Sequence, residues 1–195
     1  RILIDVPAGR AGMQPSLSLS FSSRGHNTHG GLGWQLEGFS SIERCPKTLA
    51  TEGIADGVYG DKRDSLCLDG HKLIAISGAY GGEGTEYRTE DDTFAKVVAS
   101  APHHETGWFR VWTKEGTIRT YSPLEIPKTP TQTHENFAWL LAEEADRSGN
   151  AVRYSYASRI EQDGNVPVVE YFPTQIDYTF QTQKTPAEPG KRSVV

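Results

Sequence analysis

The chain has 195 residues, which is long enough to bury a hydrophobic core in one large domain or two small ones. Its formal net charge of −5 and its scattered basic residues argue against a protein that binds nucleic acid through a basic stripe. No run of about 18 apolar residues predicts a transmembrane helix, and the 20 glycines and 11 prolines favour β-strands joined by many turns.

The first two predicted strands cover residues 1–6 and 15–22. In the second strand, leucine and phenylalanine alternate with serine. Alternation with a period of two indicates one buried face and one solvated face. The sequence therefore predicts that Leu17, Leu19 and Phe21 are buried and that the intervening serines face solvent.

A glycine-rich segment follows at residues 25–33. A phosphate-binding loop would need Gly-Lys-Ser or Gly-Lys-Thr before a helix, and a dinucleotide fingerprint would need a third glycine and a helix. Here the chain continues into Trp34 and a strand-like alternation that reaches Arg44. We therefore interpret Gly31 and Gly33 as residues of a tight turn that lets the Trp34 ring lie against the backbone.

The two cysteines, Cys45 and Cys67, are too few for a disulfide framework. We interpret them as two partly buried free thiols. A single bridge is the alternative, since the sequence does not show whether their Cα atoms come close enough. Neither cysteine has the sequence context of a catalytic nucleophile.

Three neighbouring aspartates, Asp61, Asp64 and Asp69, suggest a calcium site. Their spacing does not match an EF-hand loop, so we interpret them as solvated turn carboxylates, with a bound cation as the alternative. His103 and His104 are adjacent, and adjacent residues of an extended chain point to opposite sides, so they do not readily share one metal ion. The sequence therefore predicts no metal site, no cofactor and no catalytic residue.

A hairpin is predicted at residues 66–76, after a turn-rich segment at residues 46–54 that can hold one short helix. Asp69-Gly70 lies between two apolar runs, and this dipeptide is a strong signal for a two-residue turn. The sequence therefore predicts that Asp69 and Gly70 join two antiparallel strands.

A second hairpin is predicted at residues 107–121, turning at residues 114–116. Its Trp108 and Trp112 fall on the same face of the strand. We interpret the two rings as core residues that pack across strands, and a sugar-binding platform is the alternative.

The clearest hairpin lies at residues 139–156, where a polar turn separates an apolar run from alternating tyrosines. Glycine supplies the positive φ that such turns need, and Asp and Asn bond well to their own backbone. The residues assigned to this unit are Asp146, Gly149, Asn150, Tyr154 and Tyr156.

A last strand pair is predicted at residues 170–180. With about ten to thirteen strands, glycine turns and almost no helix, the sequence predicts an all-β fold. We expect meandering antiparallel β-hairpins that form a curled sheet, without a fixed repeat period.

The turn at residues 146–150 resembles one unit of the rearrangement-hot-spot (RHS), or tyrosine-aspartate (YD), repeat, which pairs an Asp-x-x-Gly-Asn turn with Tyr-x-Tyr. Residues 5–180 resemble the N-terminal domain of the plasmid virulence protein B (SpvB) family. That domain also opens the B component of insecticidal toxin complexes (TcB). The motifs that carry this resemblance occur in the family's order at residues 7–21, 31–34, 42–48, 66–70 and 86–90.

The resemblance implies a non-catalytic structural segment of a secreted bacterial toxin or virulence protein that is made in the bacterial cytoplasm. Such a segment would form part of an RHS-type hollow β-shell. The shell encloses or delivers a cytotoxic C-terminal effector. The implied partners are the RHS-repeat C component and, through a β-propeller elsewhere in the parent, the membrane-inserting A component. Nucleic-acid binding and direct membrane insertion are not implied.

The resemblance also sets the expected domain organisation. Residues 1–182 are expected to form the SpvB-like domain, and residues 183–195 a polar linker at the end of a fragment, since Arg1 opens in mid-strand. The chain lacks propeller repeats, and it lacks the Glu-x-Glu motif and Ser-Thr-Ser strand of the virulence protein's ADP-ribosyltransferase domain. We expect neither activity in these residues.

Two other functions are compatible with the sequence. A carbohydrate- or receptor-binding β-module would use Trp34, Trp108, Trp112 and Trp139. A hydrolase would use carboxylates such as Asp61, Asp64 and Glu86. A curled sheet with open edges would support the shell, whereas a small closed sandwich would count against it.

Overall fold

The computed structural model describes residues 1–23, 27–28, 31–102, 107–124, 136–163, 166–183 and 191–194, and these residues are almost entirely antiparallel β-strands. The strands are β1 Ile2–Ile4, β2 Leu17–Phe21, β3 Asn27–Thr28, β4 Gly31–Leu32, β5 Trp34–Glu37, β6 Ser41–Cys45, β7 Ser65–Leu68, β8 His71–Ser77, β9 Glu86–Thr89, β10 Lys96–Ala99, β11 Phe109–Trp112, β12 Ile118–Pro123, β13 Ala138–Ala145, β14 Asn150–Asp163, β15 Val166–Gln181 and β16 Lys191–Val194. One helix, α1 Leu49–Glu52, lies in the segment predicted to hold it.

The eight strands from β6 to β13 close into a barrel. Each strand pairs with the next one along the chain, and β13 pairs with both β12 and β6. The predicted all-β fold of meandering antiparallel hairpins is therefore confirmed. The curl is complete in this part of the sheet, which differs from the open-edged sheet expected for a shell segment. Closure satisfies the backbone donors and acceptors that an open edge would expose.

The barrel interior is filled by one side chain from every second position of its strands. Its largest fully buried members include Trp139, Tyr87, Tyr121 and Phe109. The rings of Phe109 and Trp139 meet edge to face with their centroids 5.0 Å apart. Since burying a large apolar side chain stabilises by about 1.5–3 kcal/mol, this interior is the main source of stability.

A long ribbon leaves the barrel at β13. The first residues of β14 pair with the end of β13, and β14 then pairs with β15 along its whole length of 14 residues. The strand pair predicted at residues 170–180 is therefore wrong: these residues belong to the single strand β15, which has 16 residues. Within the segment predicted as a linker, β16 pairs with β15, and residues 184–190 lie outside the described residues.

The N-terminal strands form a separate sheet in the order β1-β2-β5. The solvated serine face predicted for β2 is wrong at Ser18, which is fully buried. Its hydroxyl donates to Glu37 at 2.8 Å and accepts from Arg1 Nε at 2.9 Å. Conversely, Phe21 is 57% exposed, so the burial predicted for this side chain is wrong.

The two cysteines form a disulfide bond, so the prediction of two free thiols is wrong. Antiparallel pairing of β6 with β7 places Cys45 and Cys67 diagonally across the ladder, with their Cα atoms 5.9 Å apart. That separation lies within the range that a disulfide spans. No helix among the described residues is long and apolar enough to cross a membrane.

Candidate functional site

The turn between β13 and β14 is organised by the carboxylate of Asp146. It accepts hydrogen bonds from the backbone nitrogens of Ser148 (2.8 Å) and Asn150 (2.9 Å) and from Nδ2 of Asn150 (2.7 Å). Burial raises the pKa of Asp146, but these hydrogen bonds lower the pKa by more than burial raises it, so the net shift is downward. Gly149 adopts φ 81°, in the left-handed region that favours glycine.

The same turn is held from outside by the last residue of β15 and the two residues that follow it. Thr182 N donates to Gly149 O at 2.8 Å, and Gln181 Nε2 donates to Ser148 O at 2.9 Å. Gln183 Nε2 donates to the backbone oxygen of Arg147 at 3.1 Å. The turn therefore connects the barrel to the end of β15 at the base of the ribbon, a contact that spans more than thirty positions in the sequence.

The two tyrosines of β14 attach the ribbon to the barrel. Phe39 lies between them, with ring centroids 6.1 Å from Tyr154 and 6.2 Å from Tyr156, both edge to face. Tyr156 Oη donates to the backbone oxygen of Leu141 at 3.0 Å. Burial raises the pKa of both phenols, so both remain neutral hydrogen-bonding groups near neutral pH.

The Asp69-Gly70 turn joins β7 to β8, as the sequence predicts, with φ values of 50° and 85°. The Asp69 carboxylate accepts from Ser40 Oγ and from Ser41 N. Ser40 Oγ lies 2.8 Å from Tyr121 Oη, and burial raises the pKa of Tyr121 to about 12. This chain of contacts ties the turn to the barrel interior beside the ribbon.

Gly31 lies in β4, which pairs with β3, and Trp34 begins β5 of the small N-terminal sheet, with Gly33 between the two strands. Trp34 packs against the ring of Phe21 with the centroids 5.3 Å apart. Gly33 has φ 77°, and a Cβ on it would lie 2.5 Å from the backbone oxygen of Ser22. β4 and β5 belong to small sheets, whereas the Asp146 turn joins two strands of the large sheet, so the motif residues are spread over separate sheets rather than gathered into one site.

The aspartates predicted to be solvated turn carboxylates include one buried residue, so that prediction is wrong for Asp64. Asp64 is 2% exposed, and it accepts from the backbone nitrogens of Tyr59 (2.8 Å), Gly60 (2.7 Å) and Asp61 (3.1 Å). Its partner is Arg44, whose guanidinium lies 3.5 Å away with both side chains fully buried.

Arg44 is a central residue that the sequence reasoning missed. Its Nε donates to the backbone oxygen of Asn136 at 2.7 Å, and its guanidinium carbon lies 6.0 Å from the centroid of the Trp139 ring. Together with Asp64 it fills one end of the barrel. The position of Arg44 could have indicated a buried ion pair. Arg44 lies two residues after Ile42, on the same inward face of the strand, where an unpaired charge would be very costly.

The carboxylates considered for hydrolysis are each bound to different cations. Asp61 pairs with Arg63 at 2.7 Å, whereas Glu86 pairs with Lys96 at 2.8 Å and with Arg88 at 2.9 Å. Among the described residues, no group of three or more His, Cys, Asp and Glu side chains could hold a metal ion. His103 and His104 lie outside the described residues.

The tryptophans do not form a shared sugar platform. Trp139 is inside the barrel, where its Nε1 donates to Gly107 O at 3.0 Å. Trp112 on the outer face of β11 and Trp108, which precedes the strand, flank Arg110, so their prediction as core residues is wrong. The Arg110 guanidinium lies 4.7 Å from the Trp108 ring and 6.0 Å from the Trp112 ring.

Two depressions lie beside the barrel. One of about 250 Å³ separates the outer face of β12 and β13 from the ribbon, and it is lined by Leu124, Leu140 and Tyr156. The other, of about 490 Å³, lies at the barrel end formed by the hairpin turns and is lined by residues of both charges, including Asp92 and Arg119.

The sequence profile of the family described as Salmonella virulence plasmid 65kDa B protein (SpvB) matches residues 1–185. No curated protein sequence matches the chain. The fold is similar to that of the N-terminal domain of effector protein SpvB from Salmonella typhimurium strain LT2, with a TM-score of 0.64 and 18% identity over 91% of this chain and 63% of that chain.

The fold is also similar to part of much longer toxin chains. The TcdB2-TccC3 crystal structure matches with a TM-score of 0.67 and 21% identity, over 90% of this chain and 9% of that chain. The Photorhabdus luminescens Tc holotoxin pore matches with a TM-score of 0.64 and 18% identity, over the same shares. The likeness in structure shows a common fold, and the profile match over residues 1–185 shows that the chain belongs to the SpvB family.

Proposed function

We propose that this chain is a non-catalytic structural segment of a secreted toxin or virulence protein, and that its ribbon continues into a β-shell. The shell would enclose or deliver a cytotoxic C-terminal effector. Residues 1–182 are the domain in this proposal, and the segment from residue 183 leads towards the rest of the protein. The family match and the similarity to TcdB2-TccC3 structures support a toxin setting.

The observation that carries the proposal is the open ladder of the ribbon. β14 pairs with β13 only through Ala151, Val152 and Arg153, while its partner β15 continues alongside to Asp163. β15 in turn pairs with β16 only from Gln175 to Tyr178. Within the described strands, most of the ribbon is therefore two-stranded, with no third strand paired along either side, and such edges pair readily with further strands.

The barrel supplies the fixed base that such a ribbon needs. Its strands are paired on both sides over much of their length, its interior is packed with aromatic side chains, and Cys45 is bonded to Cys67. Disulfides persist in oxidising surroundings outside the bacterial cytoplasm. This supports a protein that is made in the cytoplasm and acts after secretion.

The partners in this proposal are other segments of the same shell. TcdB2 and TccC3 occur together in the similar structures, and one of these is a holotoxin pore. We therefore include an RHS-repeat C component and, through a propeller elsewhere in the parent, a membrane-inserting A component. Direct membrane insertion and nucleic-acid binding by these residues are not part of the proposal.

Shortening the ribbon tests the proposal. Ser158 and Tyr171 are paired across the ribbon, so residues 159–170 can be replaced by an Asn-Gly turn without altering the register below. In the native full-length protein, this change should leave the barrel folded but abolish protease protection of the effector and toxicity. The readouts are near-UV circular dichroism, limited proteolysis and cell killing.

The matched control is an Asn-Gly turn in place of residues 114–116, which join β11 to β12 inside the closed barrel. That change leaves the ribbon intact, and protection of the effector should persist. A protein with the shortened ribbon that still protects its effector and kills cells at the normal dose would contradict the proposal.

A further inference from the structure

One side of the barrel exterior carries an exposed surface that mixes apolar and cationic side chains. We call it the β8–β11 face, since it is formed by the outward residues of these four strands. Ile74 and Ile76 on β8 are 48% and 54% exposed, and Trp108, which precedes β11, is 40% exposed. Large apolar residues grouped on one face, rather than scattered singly, indicate an interaction surface.

The cations of this face outnumber its carboxylates. Arg88 and Lys96 share one carboxylate, that of Glu86, and their side chains remain 40% and 44% exposed. Arg110 is held between two tryptophan rings, and its Nε is buried without a hydrogen-bond partner. The face is therefore locally positive on a chain whose formal net charge is −5. A complementary partner is acidic.

The register brings these groups together. Ile74 is paired with Arg88, Lys96 with Trp112, and Val98 with both Glu86 and Arg110. Neighbouring strands lie about 4.8 Å apart, so Arg88 and Lys96 lie side by side in one row across the strands, and Arg110 lies in the next row beside Val98. Two adjacent rows that carry three cations fit an extended ligand with several negative charges.

The opposite side of the same barrel shows what covers such a surface. There the outward residues Leu124, Ala138 and Leu140 form an apolar cluster that packs under Tyr156 of the ribbon. Tyr171 Oη of the ribbon donates to the carboxylate of Glu43 on β6 at 2.6 Å. This part of the exterior is thus covered by polypeptide, with a carboxylate of the barrel bonded to a donor of the ribbon.

We propose that the β8–β11 face docks an acidic, extended polypeptide segment from outside these 195 residues. Its carboxylates would pair with Arg88, Lys96 and Arg110, and its apolar side chains would cover Ile74 and Ile76. A sugar ring is disfavoured because Arg110 and Lys96 already lie over the tryptophan rings on which it would stack. The proposal does not depend on the ribbon's role in a shell.

Hydroxyl-radical footprinting of the wild-type native full-length protein tests the proposal, with the 195-residue chain as the reference. Oxidation of Trp108 and Ile76 should be several-fold slower in the full-length protein, whereas Leu49, which is 71% exposed elsewhere, should oxidise equally in both. Treatment with a carbodiimide should join Lys96 Nζ to an Asp or Glu of the docked segment, identified by mass spectrometry.

A charge-neutralised variant adds specificity. Lys96→Gln with Arg110→Gln should restore rapid oxidation of Ile76 in the full-length protein, whereas Lys62→Gln with Arg63→Gln, which removes two cations from another loop, should not. Equal oxidation of Trp108 in both wild-type samples would overturn the proposal. So would protection that appears only when heparin or phosphatidylserine vesicles are added, because the occupant would then be a glycan or a lipid.

Discussion

At the scale of single residues, several side chains are fixed by contacts that are distant in sequence. Gly149 has a backbone conformation that glycine favours, and its missing Cβ also makes room for the residues that follow β15. Asp64 holds a loop through three backbone nitrogens while it balances the charge of Arg44. Each of these residues has a local role and a tertiary one, and the two can be separated by comparison with a matched position.

Gly149→Ala should destabilise the fold more than Gly70→Ala. Both glycines have φ above 80°, but a Cβ at Gly149 would lie 2.5 Å from Gln181 Oε1, whereas one at Gly70 would meet nothing within 4 Å. The left-handed conformation alone costs about 1–2 kcal/mol for alanine, so we expect that loss at Gly70 and about 3 kcal/mol at Gly149. Urea unfolding of both variants measures the difference, and equal losses would show that the ribbon end does not confine the turn.

Glu52 should make stability depend on pH below about 4.5. Burial raises its pKa, but hydrogen bonds from Lys72, Thr51, Thr48 and Ser65 lower it, to about 2 in the folded state. Because the folded pKa lies below the unfolded one, the stabilisation is complete above about pH 4.5 and is lost as the pH falls towards 2.

Urea unfolding between pH 2 and 6 measures this effect. Glu52→Gln should reduce the pH dependence in that window by on the order of 1 kcal/mol, a figure reduced for solvent screening. Glu83→Gln, in an exposed loop, is the control and should follow the wild type. An unchanged pH profile in Glu52→Gln would show that the contact with Lys72 does not stabilise the fold.

At the scale of elements, the pairing of β6 with β7 connects three features of the barrel. Its inward side carries Ile42 and Arg44, and its outward side carries the disulfide. Helix α1 lies in the connection between the two strands and presents Glu52 to Lys72 of β8. The connection between β6 and β7 is therefore held by the disulfide that links the two strands and by the ion pair of its helix with β8.

Removal of the disulfide should destabilise the chain by about 3 kcal/mol, the loop-entropy expectation for a sequence separation of 22 residues. Guanidinium unfolding of the wild type with and without reductant measures this loss. The variant with Cys45→Ala and Cys67→Ala should resemble the reduced wild type and should not respond to reductant. Equal stability of the oxidised and reduced wild type would contradict the expectation.

At the scale of the whole molecule, the described strands form a closed barrel and, beside it, a ribbon with unpaired strand edges. The barrel has no unpaired edge strand, because β13 pairs with β6 as well as with β12. The ribbon leaves the same strand, where β14 takes over the edge of β13 that β6 leaves free. A closed base with an open ribbon can be extended by further strands without unfolding its core.

Amide hydrogen exchange should reveal this division. In β11, which is paired on both sides, amides such as Val111 should exchange slowest. Between Tyr156 and Asp163, every second amide points to the open edge of the ribbon and should exchange fast in the 195-residue chain.

The same amides should become protected in the full-length protein if further strands pair with the ribbon. Mass spectrometry of peptides from β11 and β14 provides the comparison, with β11 as the internal control. Uniform slow exchange along β14 in the isolated chain would mean that the edge is already covered.

The local units of this protein could be predicted from its amino-acid sequence. Alternation of apolar and polar residues identified the strands, and Asp69-Gly70 and Asp146–Asn150 identified turns, because turn chemistry acts over a few residues. The ordered motifs also identified the SpvB family. Four features became visible only in the folded chain: β13 closes the barrel, Cys45 meets Cys67, Arg44 and Asp64 are buried together, and Trp108 and Trp112 face outwards. These outcomes depend on which strands become neighbours, and alternation shows that a strand has two faces without showing which face the closed sheet encloses.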